Sequence, residues 1–243
     1  MTTITEATSD IFTAPSLSVL CHACNCRGSW GAGVAAAFKS RCPSAYELYH
    51  SHCTSPLESR TLHEHQESLL GTCLLIPPSE RSPSPTKDTS SRSKGKSKAK
   101  SEHYIACLFT SVGYGRNTAP AAAILENTRK AVEDLRVQLE TLKKEEEGEG
   151  REVGGVWSVR INSGLFSVPW EETLEVLKEG GVEMKIVRPA GEAEREEKAK
   201  GKRGGRGVGK GRGGVKRVID EGGALEGRKK TRSMRSTVDQ ASE

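Results

Sequence analysis

The chain has 243 residues, of which 34% are hydrophobic, 5% aromatic and 28% charged, with 26 glycines. A single domain of that length is normally richer in core residues, so part of the chain is expected outside the packed unit. The formal charge of +5 is uneven, +6 from Gly191 onward and −1 before it, which removes a nucleic-acid role from the front and leaves one only to the tail.

The opening stretch, MTTITEATSD, has neither the basic start nor the apolar centre of a signal peptide. No apolar run approaches the roughly 18–20 residues that span a bilayer. The chain is therefore expected to be intracellular, cytoplasmic or nuclear, with no membrane partner. Its seven cysteines, an odd number, read as reduced thiols rather than a disulfide framework.

In chain order, a short strand is predicted at about 3–7, and an apolar strand at 17–21 (LSVLC). A polar loop holding His22, Asn25 and Arg27 follows, then Gly28, Gly31 and Gly33 around Trp30. An Ala-rich helix is predicted from Gly31 to Lys39, and a second opened by Pro43 that carries Tyr46, Leu48, Tyr49 and His52. TCLLI at 72–76 is a buried strand stopped by Pro77 and Pro78. Residues 79–102 are rich in Ser, Pro and Lys and read as a disordered insertion.

HYIACLFT at 103–110 is the strongest strand signal and runs into a second glycine loop, Ser111 to Gly115. A long helix is predicted over 119–147, with Ile124, Thr128, Ala131, Leu135, Leu139 and Leu142 as one apolar stripe. Its acidic end, Glu145, Glu146, Glu147 and Glu149, opposes the helix dipole and is expected to fray into solvent. The strand 156–161 leads to a third loop, 162–168, and Pro169 opens a helix with Glu171 and Glu172 in its first turn. Residues 183–187 form a last strand.

Strands alternating with helices predict an α/β fold with a mostly parallel sheet covered by helices. In such sheets ligands sit at the carboxyl ends of strands, where the loops after 21, 110 and 161 would converge. A glycine loop opening a helix suits a phosphate: the first N–H groups are unpaired, and glycine lets an anion approach the main chain. One such loop is often only a turn; three at one edge make a binding site.

Two further features are weighed against simpler readings. The segment 198–217 carries nine basic and no acidic residues, and suits weak binding to RNA or an acidic partner, or else a solvated tail. Cys21, Cys24, Cys26 and His22 fall short of a zinc site, which needs four ligands, with a second pair at proper spacing. Cys21 in an apolar strand reads as a small buried hydrophobe.

Together, CHACNCRGSWGAGVA (21–35), YIACLFTSVGYG (104–115) and INSGLFSVPWEETLEVL (161–177) resemble macrodomains, and within them the fungal ADP-ribose 1''-phosphate phosphatases. The resemblance covers residues 1–189 and implies a three-layer α/β/α sandwich around a mixed, mostly parallel sheet, as one domain over 1–190 followed by a disordered basic tail, 191–243. It implies an enzyme that removes phosphate from ADP-ribose 1''-phosphate without a metal or other cofactor. Alternatives on the same ligand are an ADP-ribosyl or acyl-ADP-ribose hydrolase and a non-catalytic ADP-ribose-binding module. By the same resemblance Asp10 meets the adenine amine beside Ile11. Gly31, Ala32, Gly33 and Val34 line the pyrophosphate, and Asn25 meets the distal ribose or the attacking water. Asn162, Ser163, Gly164, Leu165 and Phe166 form the facing loop. His22 is the expected proton carrier, because imidazole titrates near neutrality. Ser9 and Ser167 stand where macrodomains commonly have glycine.

Overall fold

A computed structural model describes residues 3–56, 60–78 and 102–191. The expected disordered insertion (79–102) and the basic tail (191–243) lie outside the described residues, apart from Glu102 and Gly191.

Six strands make one sheet: β1 (Ile4–Thr8), β2 (Val19–Asn25), β3 (Cys73–Ile76), β4 (Tyr104–Ser111), β5 (Val156–Val159) and β6 (Met184–Arg188). Their order is β1-β6-β5-β2-β4-β3, and every pairing is parallel except β3 with β4. The helices are α1 (Gly33–Arg41), α2 (Pro43–Thr54), α3 (Leu62–Ser68), α4 (Ala121–Gly148) and α5 (Trp170–Glu179). A parallel sheet buried on both faces needs apolar residues at nearly every position, and all eight residues of β4 are buried.

Side chains alternate along the central strands and so divide the core in two. Val19 and Cys21 of β2, with Ala106 and Leu108 of β4, pack among Ala131, Leu135 and Leu139 of α4 and Leu177 of α5. Leu20 and Cys24, with Ile105, Cys107 and Phe109, pack among Trp30, Phe38 of α1 and Tyr49 and Cys53 of α2. Helices thus cover both faces, the predicted three-layer arrangement. The predicted stripe of α4 is buried along its whole length.

Three elements differ from the sequence reading. The first strand of the core does not stop at Cys21; β2 continues to Asn25. It is an inner strand of the sheet: β5 pairs with Val19–Cys21, and β4 continues alongside from Val19 to Asn25, so the polar His22 and Asn25 are carried on by the β4 ladder and are buried. The short helix α3 has no apolar stripe and was not predicted. A Thr-x-x-Glu capping box holds it: Thr61 Oγ1 accepts from the Glu64 N–H at 3.2 Å, and Glu64 Oε2 accepts from the Thr61 N–H at 2.8 Å.

The third difference is the end of α4, which is anchored rather than frayed. Glu146 is 1% exposed and accepts from Tyr104 Oη at 2.6 Å and Arg151 Nε at 2.7 Å. Removing a buried carboxylate that serves two donors costs about 1.5–3 kcal/mol. Glu146→Ala is therefore expected to lower the unfolding free energy by that amount, read as a lower denaturant midpoint at unchanged slope, without loss of two-state behaviour. An unchanged midpoint would mean that this helix end contributes nothing.

Candidate active site

Because β1, β2, β4, β5 and β6 run parallel, the segments that leave their carboxyl ends share one edge of the sheet. Asp10 follows β1, the Cys26–Ala32 loop follows β2, and the 160–169 loop follows β5. The loop after β4, with exposed Tyr114 and Arg116, joins them.

The first loop is built around Asn25. Its Oδ1 accepts from the N–H groups of Arg27 (3.0 Å) and Ser29 (3.3 Å), and its Nδ2 donates to the Ser29 carbonyl at 2.7 Å. From α2, Tyr49 Oη donates to the Asn25 carbonyl at 2.6 Å, and His50 Nδ1 lies 2.9 Å from the Gly28 carbonyl. Gly28 has φ +70°, and a Cβ there would stand 2.9 Å from that same His50 nitrogen. The loop is therefore fixed before any ligand arrives, and Asn25 spends its amide on it.

The loop delivers the chain to α1 with donors left over. Ala32 precedes the helix without a side-chain cap, and Gly33 has φ +58°. Among the described residues the N–H groups of Gly33, Val34 and Ala35 meet no acceptor. Opposite lies the third loop, where the N–H groups of Gly164, Leu165 and Phe166 meet none either. The two loops face each other: a methyl carbon of Leu165 comes within 3.8 Å of where a Cβ on Gly33 would stand. Leu165 is 65% exposed. Two sets of unpaired donors across a narrow gap, one of them a helix N-terminus, form an anion cradle.

The third loop is held from below. Asn162 is 4% exposed with φ +63°. It accepts from Thr110 Oγ1 at 3.1 Å and donates to Thr128 Oγ1 at 2.9 Å, joining the loop to β4 and α4. Asn162 is thus a support of the cradle, placed beneath it rather than in it. Ser163 Oγ donates to the Arg160 carbonyl at 2.7 Å. Glu6 of β1 braces both ends of the loop, accepting from Arg160 Nη2 and Trp170 Nε1 at 3.0 Å each. Partial burial pushes the Glu6 carboxyl up, but the Trp170 and Arg160 hydrogen bonds outweigh it and hold it below the usual carboxylate range. Ser167 has φ +56°, in the left-handed region that glycine adopts most readily.

At the far end Asp10 is exposed. Its Oδ1 accepts from the Phe12 N–H at 3.1 Å, and its Oδ2 lies 3.5 Å from Arg41 Nη2. Ile11 beside it is buried. The Arg41 guanidinium lies 4.8 Å from the centre of the Phe12 ring.

No family model matches the chain. The ADP-ribose 1''-phosphate phosphatase of Aspergillus fumigatus is 41% identical to it over 203 residues, 77% of this chain and 95% of the relative. That of Debaryomyces hansenii is 41% identical over 175 residues, 69% of this chain and 88% of the relative. The chain belongs to the ADP-ribose 1''-phosphate phosphatase family. Its fold is that of macrodomains: the DarG macrodomain of Mycobacterium tuberculosis superposes with a TM-score of 0.52 at 17% identity, covering 78% of this chain and all of that one. The Thermus aquaticus DarG macrodomain gives 0.51 at 18% identity over the same shares.

In this member of the phosphatase family, His22, like Asn162, lies outside the cleft. His22 is the fourth residue of β2 and has no exposed surface. Its ring stacks on Phe38 at 4.3 Å and meets Trp30 edge-on at 4.8 Å. A proton carrier must reach its substrate or a water; this ring reaches neither, so the expected proton transfer by His22 does not fit its placement. Burial pushes the adjoining Cys24 thiol up, yet donors from Cys107, His22 and Trp30 outweigh it and hold the thiol below its usual range. Sequence reasoning missed Glu6, Tyr49, His50, Thr110 and Thr128 as supports. A signal existed for Tyr49 alone, which shares one helix face with the buried Ala45 and Cys53.

Proposed function

We propose that this protein hydrolyses ADP-ribose 1''-phosphate to ADP-ribose and phosphate. The observation that carries this reading is the 41% identity, over 95% of its length, to a relative named for that activity. The facing sets of unpaired N–H groups support it. Phosphoryl transfer passes through a loose transition state, with charge spread over the equatorial oxygens. Catalysis is then mostly positioning and electrostatic stabilisation, which preorganised main-chain donors supply. Water attacks phosphorus, the bond to the anomeric oxygen breaks, and the leaving oxygen takes up a proton.

In this reading Gly31 to Val34 cradle the pyrophosphate, and Ser163 to Phe166 close over the distal side, with Phe166 against the ribose. Asp10 accepts from the adenine amine, displacing its distant contact with Arg41. Asn25 acts through the loop that it ties together, and His22 by packing under Trp30 and Phe38. For the segment 198–217 the proposal is contact with RNA or another acidic partner, and for the chain an intracellular place, cytoplasmic or nuclear. Among the described residues no helix is long and apolar enough to cross a membrane.

The test offers the purified protein ADP-ribose 1''-phosphate, acyl-ADP-ribose and mono-ADP-ribosylated protein in separate reactions, following release of phosphate and of ADP-ribose. Phosphate release from the first, with little turnover of the others, is expected. Turnover of the second or third alone makes the protein a different ADP-ribose hydrolase, and tight ADP-ribose binding without turnover makes it a binding module.

A further inference from the structure

Beneath the first loop, three soft donors meet on one face of the sheet. His22 and Cys24 are two residues apart on β2, and Cys107 stands opposite His22 on β4. Alternation along parallel neighbours turns all three toward α1. Their ligand atoms lie within 4.8 Å of one another. His22 and Cys107 have no exposed surface, and Cys24 has 2%. Either ring nitrogen of His22 is 3.6 Å from the Cys24 sulfur, and among the described residues neither has an oxygen or nitrogen partner. Buried polar side chains are ordinarily satisfied by such partners. Here an imidazole sits among sulfurs instead, its plane fixed by the stack on Phe38.

We propose that His22, Cys24 and Cys107 form a closed, three-coordinate site for Cu(I). Two sulfurs and one imidazole are a soft donor set, the kind that selects Cu(I) over harder cations. Structural Zn²⁺ takes four donors, and among the described residues no fourth His, Cys, Asp or Glu joins this cluster. With all three donors buried, water is not at hand to complete a tetrahedral shell, whereas Cu(I) is satisfied by three. The site stands apart from the cleft chemistry and does not rest on the proposed activity. It does touch the cleft's frame, because Cys24 adjoins the irregularity in β2 at Cys24/Asn25, where the first loop begins.

The reduced full-length chain is titrated without oxygen with Cu(I) against a chromophoric Cu(I) chelator, and separately with Zn²⁺. One equivalent of Cu(I) is expected to be retained, with a rise in Tm and a change in Trp30 fluorescence, since that ring lies 4.8 Å from His22. Cys24→Ala and Cys107→Ala are expected to lose the equivalent. Cys42→Ala and Cys53→Ala, also buried but outside the cluster, are expected to keep it. Should the first two variants fail to fold, X-ray absorption at the copper edge of the unmutated protein reads the shell directly, with two sulfurs and one imidazole nitrogen expected. Failure to hold one equivalent, retention by both cluster variants, a shell without imidazole, or a preference for Zn²⁺ would each overturn the proposal.

Discussion

Gly33→Val is expected to abolish most of the affinity for ADP-ribose, by about one hundredfold or ~2.7 kcal/mol, while leaving the fold intact. Space is not the obstacle, since a Cβ at this position meets only Leu165 at 3.8 Å. The backbone is: φ is +58°, where a β-branched residue is an outlier. The left-handed region costs a non-glycine residue roughly 1–2 kcal/mol. The chain can escape that cost by turning the peptide before α1, which swings the Val34 and Ala35 N–H groups out of the cradle. Calorimetry with ADP-ribose and a thermal melt separate the two effects. Affinity equal to that of the unmutated protein would show that the start of α1 does not hold the pyrophosphate. Gly33→Ala is expected to fall between the two, because alanine tolerates the same φ with less crowding.

Asn162→Ala is expected to lower stability by about 3 kcal/mol and turnover with it. Two contributions add. The side chain loses its bonds to Thr110 and Thr128, and an alanine at φ +63° pays the left-handed penalty. Asn162→Gly removes only the bonds, so the difference between the two variants isolates the backbone contribution at roughly 1–2 kcal/mol. Denaturant midpoints give both values, and phosphate release gives the catalytic cost. If glycine restores stability but not turnover, the amide is needed to hold the third loop in its donor-forward shape. If both variants turn over normally, the loop keeps that shape without its anchor and Asn162 is only a stabiliser.

The elements most legible in the sequence are those that bury themselves by local pattern. β4 is apolar at nearly every position, the stripe of α4 repeats at helical spacing, and Pro169 with Glu171 and Glu172 marks the start of α5. The glycine loops were legible because positive φ at Gly28 and Gly33 demands glycine. What escaped depends on contacts distant in sequence. β2 reads as ending at Cys21 because His22 and Asn25 are polar, and only their pairing with β4 explains why they belong to a strand. Glu146 reads as a solvated charge until Tyr104 and Arg151 are placed against it. Cys107 joins His22 and Cys24 through strand register, which no spacing along the chain announces. Asn162 was read as a ligand contact because its loop was recognised, while its partners lie 52 and 34 residues away.

The place of β1 bears on how the protein is made. β1 pairs with β6, Ile4 against Met184, and among the described residues with no other strand. Asp10 is therefore carried by a strand made early and positioned by one made much later. Until β6 is made, about 180 residues later, β1 lacks the partner it adds to, and the Asp10 end of this edge is not in place. The cradle depends on β2, β4 and β5, which are synthesised earlier and can pair first. Closure entropy of so long a loop is met only once the nearer contacts are in place. A nascent chain thus acquires its two facing loops before its Asp10 end, and the docking of β6 is the step that completes this edge of the sheet.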